Sequence, residues 1–202
     1  VQMDLNKLTT EQINGYSAAE GVKALETLRQ ESLSPMQINE ALLMKILEDN
    51  KDTEIGRKYD FASIKSIEEY QKRVPVSIYD DYAGYILRMV NNDEDNLITA
   101  YDIDIYCETS GSLGNPKIIP MTKNTMQVHT FYNSGICNGI KEETLRPEWK
   151  KGRAMMLMEC KTVEMKKGKK YGSLSALFMR EMKPVVDKIS STPFEAIFPE
   201  KN

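Results

Sequence analysis

The chain has 202 residues, 41% hydrophobic and 28% charged, long enough to bury a core as one or two globular domains. Its 27 Lys and Arg against 30 Asp and Glu give a net charge of −3, without the basic face that a nucleic-acid partner demands. No apolar run approaches the roughly 20 residues that cross a bilayer, and no basic stretch followed by an apolar one opens the chain as a secretory leader would.

Residues 1–90 read as mainly helical. Ser17 to Leu33 carries Val22, Leu25 and Leu28 at helical spacing. Ser34-Pro35 then supplies an N-cap and a proline for the first turn of a second helix. That helix gathers Ile38, Leu42, Met44, Ile46 and Leu47 on a broad apolar face. Ser66-Ile67-Glu68-Glu69 fits a capping box for a short helix ending near Val74-Pro75. Ser77 precedes Tyr79, Tyr82, Ile86 and Met89, a stripe spaced by three or four that predicts core packing.

Residues 91–202 read as mixed α/β. Leu97–Thr99, Ile103–Cys107 and Lys117–Pro120 are short β-like runs, with Ile105, Cys107 and Thr109 alternating against Asp104, Tyr106 and Glu108. Thr122 predicts the cap of a helix reaching about Ile140. Arg153–Glu159 is a buried-strand candidate, Lys161–Lys170 a solvated lysine-rich hairpin or loop, and Gly172–Met182 a helix stopped by Pro184. A helical first third followed by mixed strands and helices predicts an α/β chain. The three cysteines, Cys107, Cys137 and Cys160, are odd in number and widely spaced, as expected of buried free thiols in a reducing compartment. The single histidine, His129, excludes a histidine-based metal cluster and most Ser–His or Cys–His nucleophile arrangements.

One segment carries chemistry: Glu108-Thr109-Ser110-Gly111-Ser112-Leu113-Gly114-Asn115-Pro116-Lys117, residues 108–117. Its glycines let backbone N–H groups turn toward an anion, its hydroxyls add donors, and its lysine adds a mobile charge. Composition alone leaves a phosphate loop and a ligand-free Ser/Gly turn equally open. Gly111 to Lys117 has the outer spacing of a P-loop. Pro116 nevertheless stands where that loop needs a glycine, Ile118 replaces the magnesium-binding hydroxyl, and a strand follows instead of a helix.

A strand–loop–strand phosphate loop fits better. Thr109, Ser110, Gly111, Ser112, Gly114, Pro116 and Lys117 match the loop of the adenylate-forming acyl-activating ligases, which the segment resembles. Leu113 departs from it, since that superfamily usually has Ser or Thr there. Further blocks flank the loop: Thr53-Glu54-Ile55-Gly56-Arg57-Lys58-Tyr59, Tyr70 to Asp80, Ile86-Leu87-Arg88-Met89 and Ile119-Pro120-Met121-Thr122. Their order resembles the auxin-responsive-promoter family of acyl-acid amido synthetases, from about residue 40 to about residue 182. The resemblance implies an α/β fold, the N-terminal part of the large domain of an adenylate-forming ligase. Residues 1–202 are then expected to be a fragment of a single domain, with the C-terminal remainder and its adenine, ribose and amino-acid contacts absent. Such a fragment is expected to be inactive alone and to self-associate through exposed apolar surface.

The implied activity has two steps. A carboxylic acid is activated by ATP to an acyl-adenylate, and an amino acid's amine then forms the amide. Thr109, Ser110, Gly111, Ser112 and Gly114 would hold the phosphates. Lys117 would act as the catalytic cation, its alternative being a pairing with Glu108 or another surface acid. ATP would bring magnesium, with no metal ligands on the chain itself. Thr125, His129 and Tyr132, on one face of the helix after the loop, are candidates for the nucleotide or acyl pocket; a structural histidine is the alternative. Ser173, in Gly172-Ser173-Leu174-Ser175, lies where family members help enclose the acyl substrate, or simply caps a helix. The expected partners are a small carboxylic acid and an amino acid, with no nucleic acid and no membrane, in the cytoplasm. Two other readings use the same loop: an acyl-coenzyme A ligase and a non-catalytic phosphate-binding fragment.

Overall fold

A computed structural model describes residues 7–109, 116–157, 162–165 and 169–198. Two compact units are present, residues 30–123 and residues 1–29 with 124–202. The order of elements is the expected mixed α/β one, with helices through Asn92 and the first strand at Ile103.

In the unit of residues 30–123, helix α2 (Pro35–Asn50) starts with Pro35 in its first turn, while the Ser34 side chain makes no capping bond. The apolar face expected on α2 is largely exposed: Ile38, Leu42 and Ile46 are open to solvent, and Leu47 and Asn50 alone are buried. Packing of α2 is concentrated at its C-terminal end. There the Asn50 side chain donates to Ile46 O and accepts from Ala100 N. Helix α3 (Glu54–Lys58) is capped by fully buried Thr53, whose hydroxyl accepts from Gly56 N and donates to Asn50 O.

Helix α4 (Ile67–Arg73) is capped by Ser66 as expected, while the return bond from Glu69 falls one residue before the N-cap instead of on it. Ser66 Oγ accepts from Glu69 N at 3.2 Å, and the Glu69 carboxylate accepts from Lys65 N at 2.7 Å. Helix α5 (Asp80–Asn92) begins three residues after Ser77, because Asp81 reaches back to accept from Ile78 N. It buries Ile86 and Met89, as the stripe predicted.

Strands β1 (Ile103–Glu108) and β2 (Ile118–Thr122) form an antiparallel hairpin, with Cys107 opposite Ile119 and Glu108 opposite Ile118. Leu97–Thr99, expected as a strand, is irregular and buries Leu97. Tyr106 faces the core along with Ile105 and Cys107, so the burial of β1 does not alternate strictly. Burial pushes the Cys107 thiol up to about 11.

The other unit is framed by α1 (Thr10–Glu31), which extends beyond the predicted start. Its buried side is made of Ile13, Ala18, Gly21, Ala24 and Leu25. Val22, read at helical spacing with Leu25 and Leu28, is 43% exposed, and the contact with α7 (Ile136–Thr144) runs through small residues. A Cβ added to Gly139 would lie 2.3 Å from Gly21 O, so glycine permits this approach. The helix after β2 is not one continuous α-helix. It runs as α6 (Lys123–His129), a π-helical segment (Thr130–Gly135) and α7. Cys137 is exposed, contrary to the expectation of buried thiols, since it sits on the open side of α7; Cys160 lies outside the described residues.

Arg153–Leu157 forms no buried strand. Ala154 makes an isolated parallel bridge to Ser190, and Met155 and Leu157 are exposed; Met158 and Glu159 lie outside the described residues. The lysine-rich stretch is a short antiparallel pair, β3 (Thr162–Glu164) and β4 (Lys170–Gly172). Helix α8 (Leu174–Glu181) stops before Pro184, which sits in the first turn of α9 (Lys183–Ile189). A core of Ala176, Met179, Val186 and Ile197, the last from α10 (Phe194–Ile197), is covered by Met156, Met182, Phe194 and Phe198.

Candidate functional site

The chemistry-bearing segment closes the β1–β2 hairpin. Ser110, Gly111, Ser112 and Gly114, with Leu113 and Asn115, lie outside the described residues. Its two ends are joined by hydrogen bonds. Thr109 N donates to Lys117 O at 3.0 Å, and Lys117 N donates to the Thr109 hydroxyl at 2.9 Å. The threonine predicted to meet phosphate therefore also locks the two strands together at the point where the loop leaves them.

That pair sets the hydrogen-bond alternation of the hairpin. Ile118 and Pro120, opposite Glu108 and Tyr106, direct their backbone away from β1. Pro120 therefore forfeits no ladder bond, which is how a proline is accommodated inside a strand. The outward peptide groups of Ile118 are met by one side chain, Tyr79. Its hydroxyl accepts from Ile118 N at 3.0 Å and donates to Ile118 O at 3.2 Å.

Lys117 is exposed, and the alternative pairing with Glu108 is not made. No carboxylate pairs with its ammonium among the described residues. The Nζ instead stands 5.2 Å from the centroid of the Tyr79 ring. An aromatic face holds a cation by its quadrupole without cancelling its charge. The base of the loop thus presents a lysine restrained by an aromatic ring and, among the described residues, not by a carboxylate.

The remaining candidates belong to the other unit. His129 is half-buried at the end of α6, and its Nδ1 has no hydrogen-bond partner among the described residues. Thr125 is exposed, and Tyr132 packs edge-on against Phe131 at 5.0 Å. The regular spacing that would align Thr125, His129 and Tyr132 ends at His129. The π-helical turn, closed between i and i+5, carries Tyr132 around the axis from the position an α-helix would give it. Ser173 Oγ accepts from Ala176 N at 3.2 Å, the bond of a helix cap for α8.

Tyr79 is the residue that sequence reasoning missed. It was assigned to a core stripe by its spacing to Tyr82 and Ile86, whereas its partners lie 39 residues away. Its place within the block Tyr70 to Asp80, one of the blocks that flank the loop in family order, was the available signal.

Among the described residues, no three or more His, Cys, Asp or Glu side chains are grouped to hold a metal ion, and no helix is long and apolar enough to cross a membrane.

Comparison with known proteins places this geometry. The chain is 36% identical over 111 residues to the putative indole-3-acetic acid-amido synthetase GH3.9 of Arabidopsis thaliana, covering 54% of this chain and 19% of that protein. It is 30% identical over 116 residues to the indole-3-acetic acid-amido synthetase GH3.17 of the same plant, covering 56% and 19%. The chain thus spans about a fifth of the length of these curated relatives. The solved structure of the GH3.15 acyl acid amido synthetase superposes with a TM-score of 0.70 at 23% identity, covering 84% of this chain and 30% of that one, a likeness of fold. The family model described as the GH3 family N-terminal domain matches residues 24–202, and the chain belongs to that family.

Proposed function

We propose that this chain supplies the phosphate-binding loop of an ATP-dependent acyl-acid amido synthetase. In that reaction a carboxylate oxygen attacks the α-phosphorus of ATP, forming an acyl-adenylate and releasing pyrophosphate. The amine of an amino acid then attacks the acyl carbon, and AMP leaves as the amide forms. The observation that carries the reading is the hairpin base, where Thr109 locks the strands and Lys117 lies over the Tyr79 ring with no carboxylate partner among the described residues. Family membership supports the same activity, since the relatives are named as amido synthetases.

The task of the loop is charge management. Pyrophosphate leaves readily only if the charge growing on its bridging oxygen meets donors already in place. Thr109, Ser110 and Ser112, with the backbone of Gly111 and Gly114, would donate to the β- and γ-phosphates. Lys117 would add the cationic charge. Magnesium arriving with the nucleotide would offset further phosphate charge. The attacking carboxylate is already ionised near neutral pH, so this step needs no general base from the chain. A small carboxylic acid and an amino acid are the substrates in this reading, and the cytoplasm is its compartment.

The test is carboxylate-dependent exchange of labelled pyrophosphate into ATP, in a full-length protein carrying this segment. Ser110→Ala with Ser112→Ala should slow exchange by about one to three orders of magnitude, the loss typical of removing such donors. Exchange at the unaltered rate would end the phosphate-loop assignment.

A further inference from the structure

We infer that Tyr79 is a positioning residue of the phosphate hairpin, fixing β2 through its hydroxyl and holding the Lys117 ammonium over its ring. The inference rests on the phosphate-loop reading and names the residue through which Lys117 is presented to a polyphosphate.

Three contacts converge on this side chain. The hydroxyl takes both outward peptide groups of Ile118, at 3.0 and 3.2 Å, and the ring lies 5.2 Å from Lys117 Nζ. A phenol has one donor and free acceptor lone pairs, so both backbone bonds coexist. Ile118 directly follows Lys117, so fixing its peptide fixes the backbone from which the lysine springs. Tyr79 itself immediately precedes α5, whose Ile86 and Met89 are buried, so the anchor stands on a packed element.

Lysine is a flexible side chain that loses rotamer freedom when it meets an anion. A carboxylate partner would order it but would also neutralise it and compete with phosphate. An aromatic face orders it and leaves the charge intact. The backbone anchor and the ring contact therefore both serve to place the Lys117 cation at the hairpin base that Thr109 closes.

The experiment is a phosphorus NMR titration of inorganic pyrophosphate with the 202-residue chain at low salt. It compares the wild type with Tyr79→Leu, Tyr79→Phe, Lys117→Ala and the Tyr79→Leu/Lys117→Ala double variant. Tyr79→Leu should weaken binding about two- to fivefold, the range of an exposed cation–ring contact. In the Lys117→Ala background the same change should have no effect, because Tyr79 acts through the lysine. As a second readout, ring current should shift the Lys117 ε-methylene protons upfield in the wild type and in Tyr79→Phe, but not in Tyr79→Leu. Should leucine unfold the chain, Tyr79→Phe carries the test: without the two hydroxyl bonds to Ile118 it should bind pyrophosphate more weakly than wild type but with a smaller loss than Lys117→Ala, and the upfield shift should be kept.

An equal loss from Tyr79→Leu with and without Lys117 would overturn the positioning role, as would an unshifted lysine in the wild type. A Tyr79→Phe loss as large as that of Lys117→Ala, with the shift kept, would overturn it too. A wild type that binds no pyrophosphate but shows the shifted lysine would refute the phosphate-loop reading, and the role in presenting Lys117 would fall with it.

Discussion

Gly139→Ala is the substitution whose effect the packing of α1 on α7 predicts most sharply. The added Cβ would stand 2.3 Å from Gly21 O, 2.8 Å from Gly21 C and 2.9 Å from Leu25 Cβ, where ordinary contact begins at 3.4 Å. Two of these neighbours are backbone atoms that cannot rotate away, so the helices must separate by about 1 Å and leave Ala24 and Leu25 underpacked. Overpacking of this kind costs about 1–3 kcal/mol, and a clash with backbone belongs at the upper end. Alanine returns about 1 kcal/mol of helix propensity, so the net loss should be about 2 kcal/mol. Gly15→Ala is the control, since Gly15 lies on α1 with nothing within 4 Å of its missing Cβ. It should gain up to about 1 kcal/mol. Equilibrium urea unfolding followed by circular dichroism measures both. A Gly139→Ala chain as stable as wild type would refute the close approach of the two helices.

Three further outcomes are expected. Thr53→Val should destabilise by about 1–3 kcal/mol in the same urea assay, because buried Gly56 N–H loses its cap acceptor. Among the described cysteines, iodoacetamide at neutral pH should label exposed Cys137 well before Cys107, read by peptide mapping, since burial and a thiol pushed up to about 11 both suppress the reactive thiolate. Folding favours the neutral Cys107 thiol, so its contribution is complete below the ordinary value of 9.0 and declines as pH rises from there toward about 11. The stability advantage of wild type over Cys107→Val should shrink across that window.

Local grammar was legible in the sequence wherever the partners are close along the chain. The Ser66 cap on Glu69 N, the proline opening α2 and the breaks at Val74 and before Pro184 all stand where their residues indicate. The strand–loop–strand setting of residues 108–117 was equally readable from β-like runs on either side of a glycine and hydroxyl cluster. What escaped was set by distant partners. A search for large apolar residues passes over the Gly21–Gly139 approach and marks Val22, which is exposed, by its spacing instead. The apolar face of α2 was visible, but its solvent exposure depends on what packs there, which periodicity does not encode. The π-helical turn after His129 has no proline to announce it. Tyr79 shows the same limit at the candidate site. Its spacing fits a core stripe, while its role is decided by the peptide of Ile118 and the ammonium of Lys117 across the fold.

The most direct measurement of the central claim is amide chemical-shift mapping of the 202-residue chain with ATP at low salt, with and without magnesium. Contacts with phosphate that stay in reach of solvent are screened, so affinity should be in the millimolar range or weaker, about −4 kcal/mol or less favourable. The shifts should centre on Thr109, Lys117 and Ile118, weaken as salt is raised, and disappear in the Ser110→Ala/Ser112→Ala variant. Shifts centred on α2 or α8, or shifts at the hairpin that persist in that variant, would contradict a phosphate loop at residues 108–117.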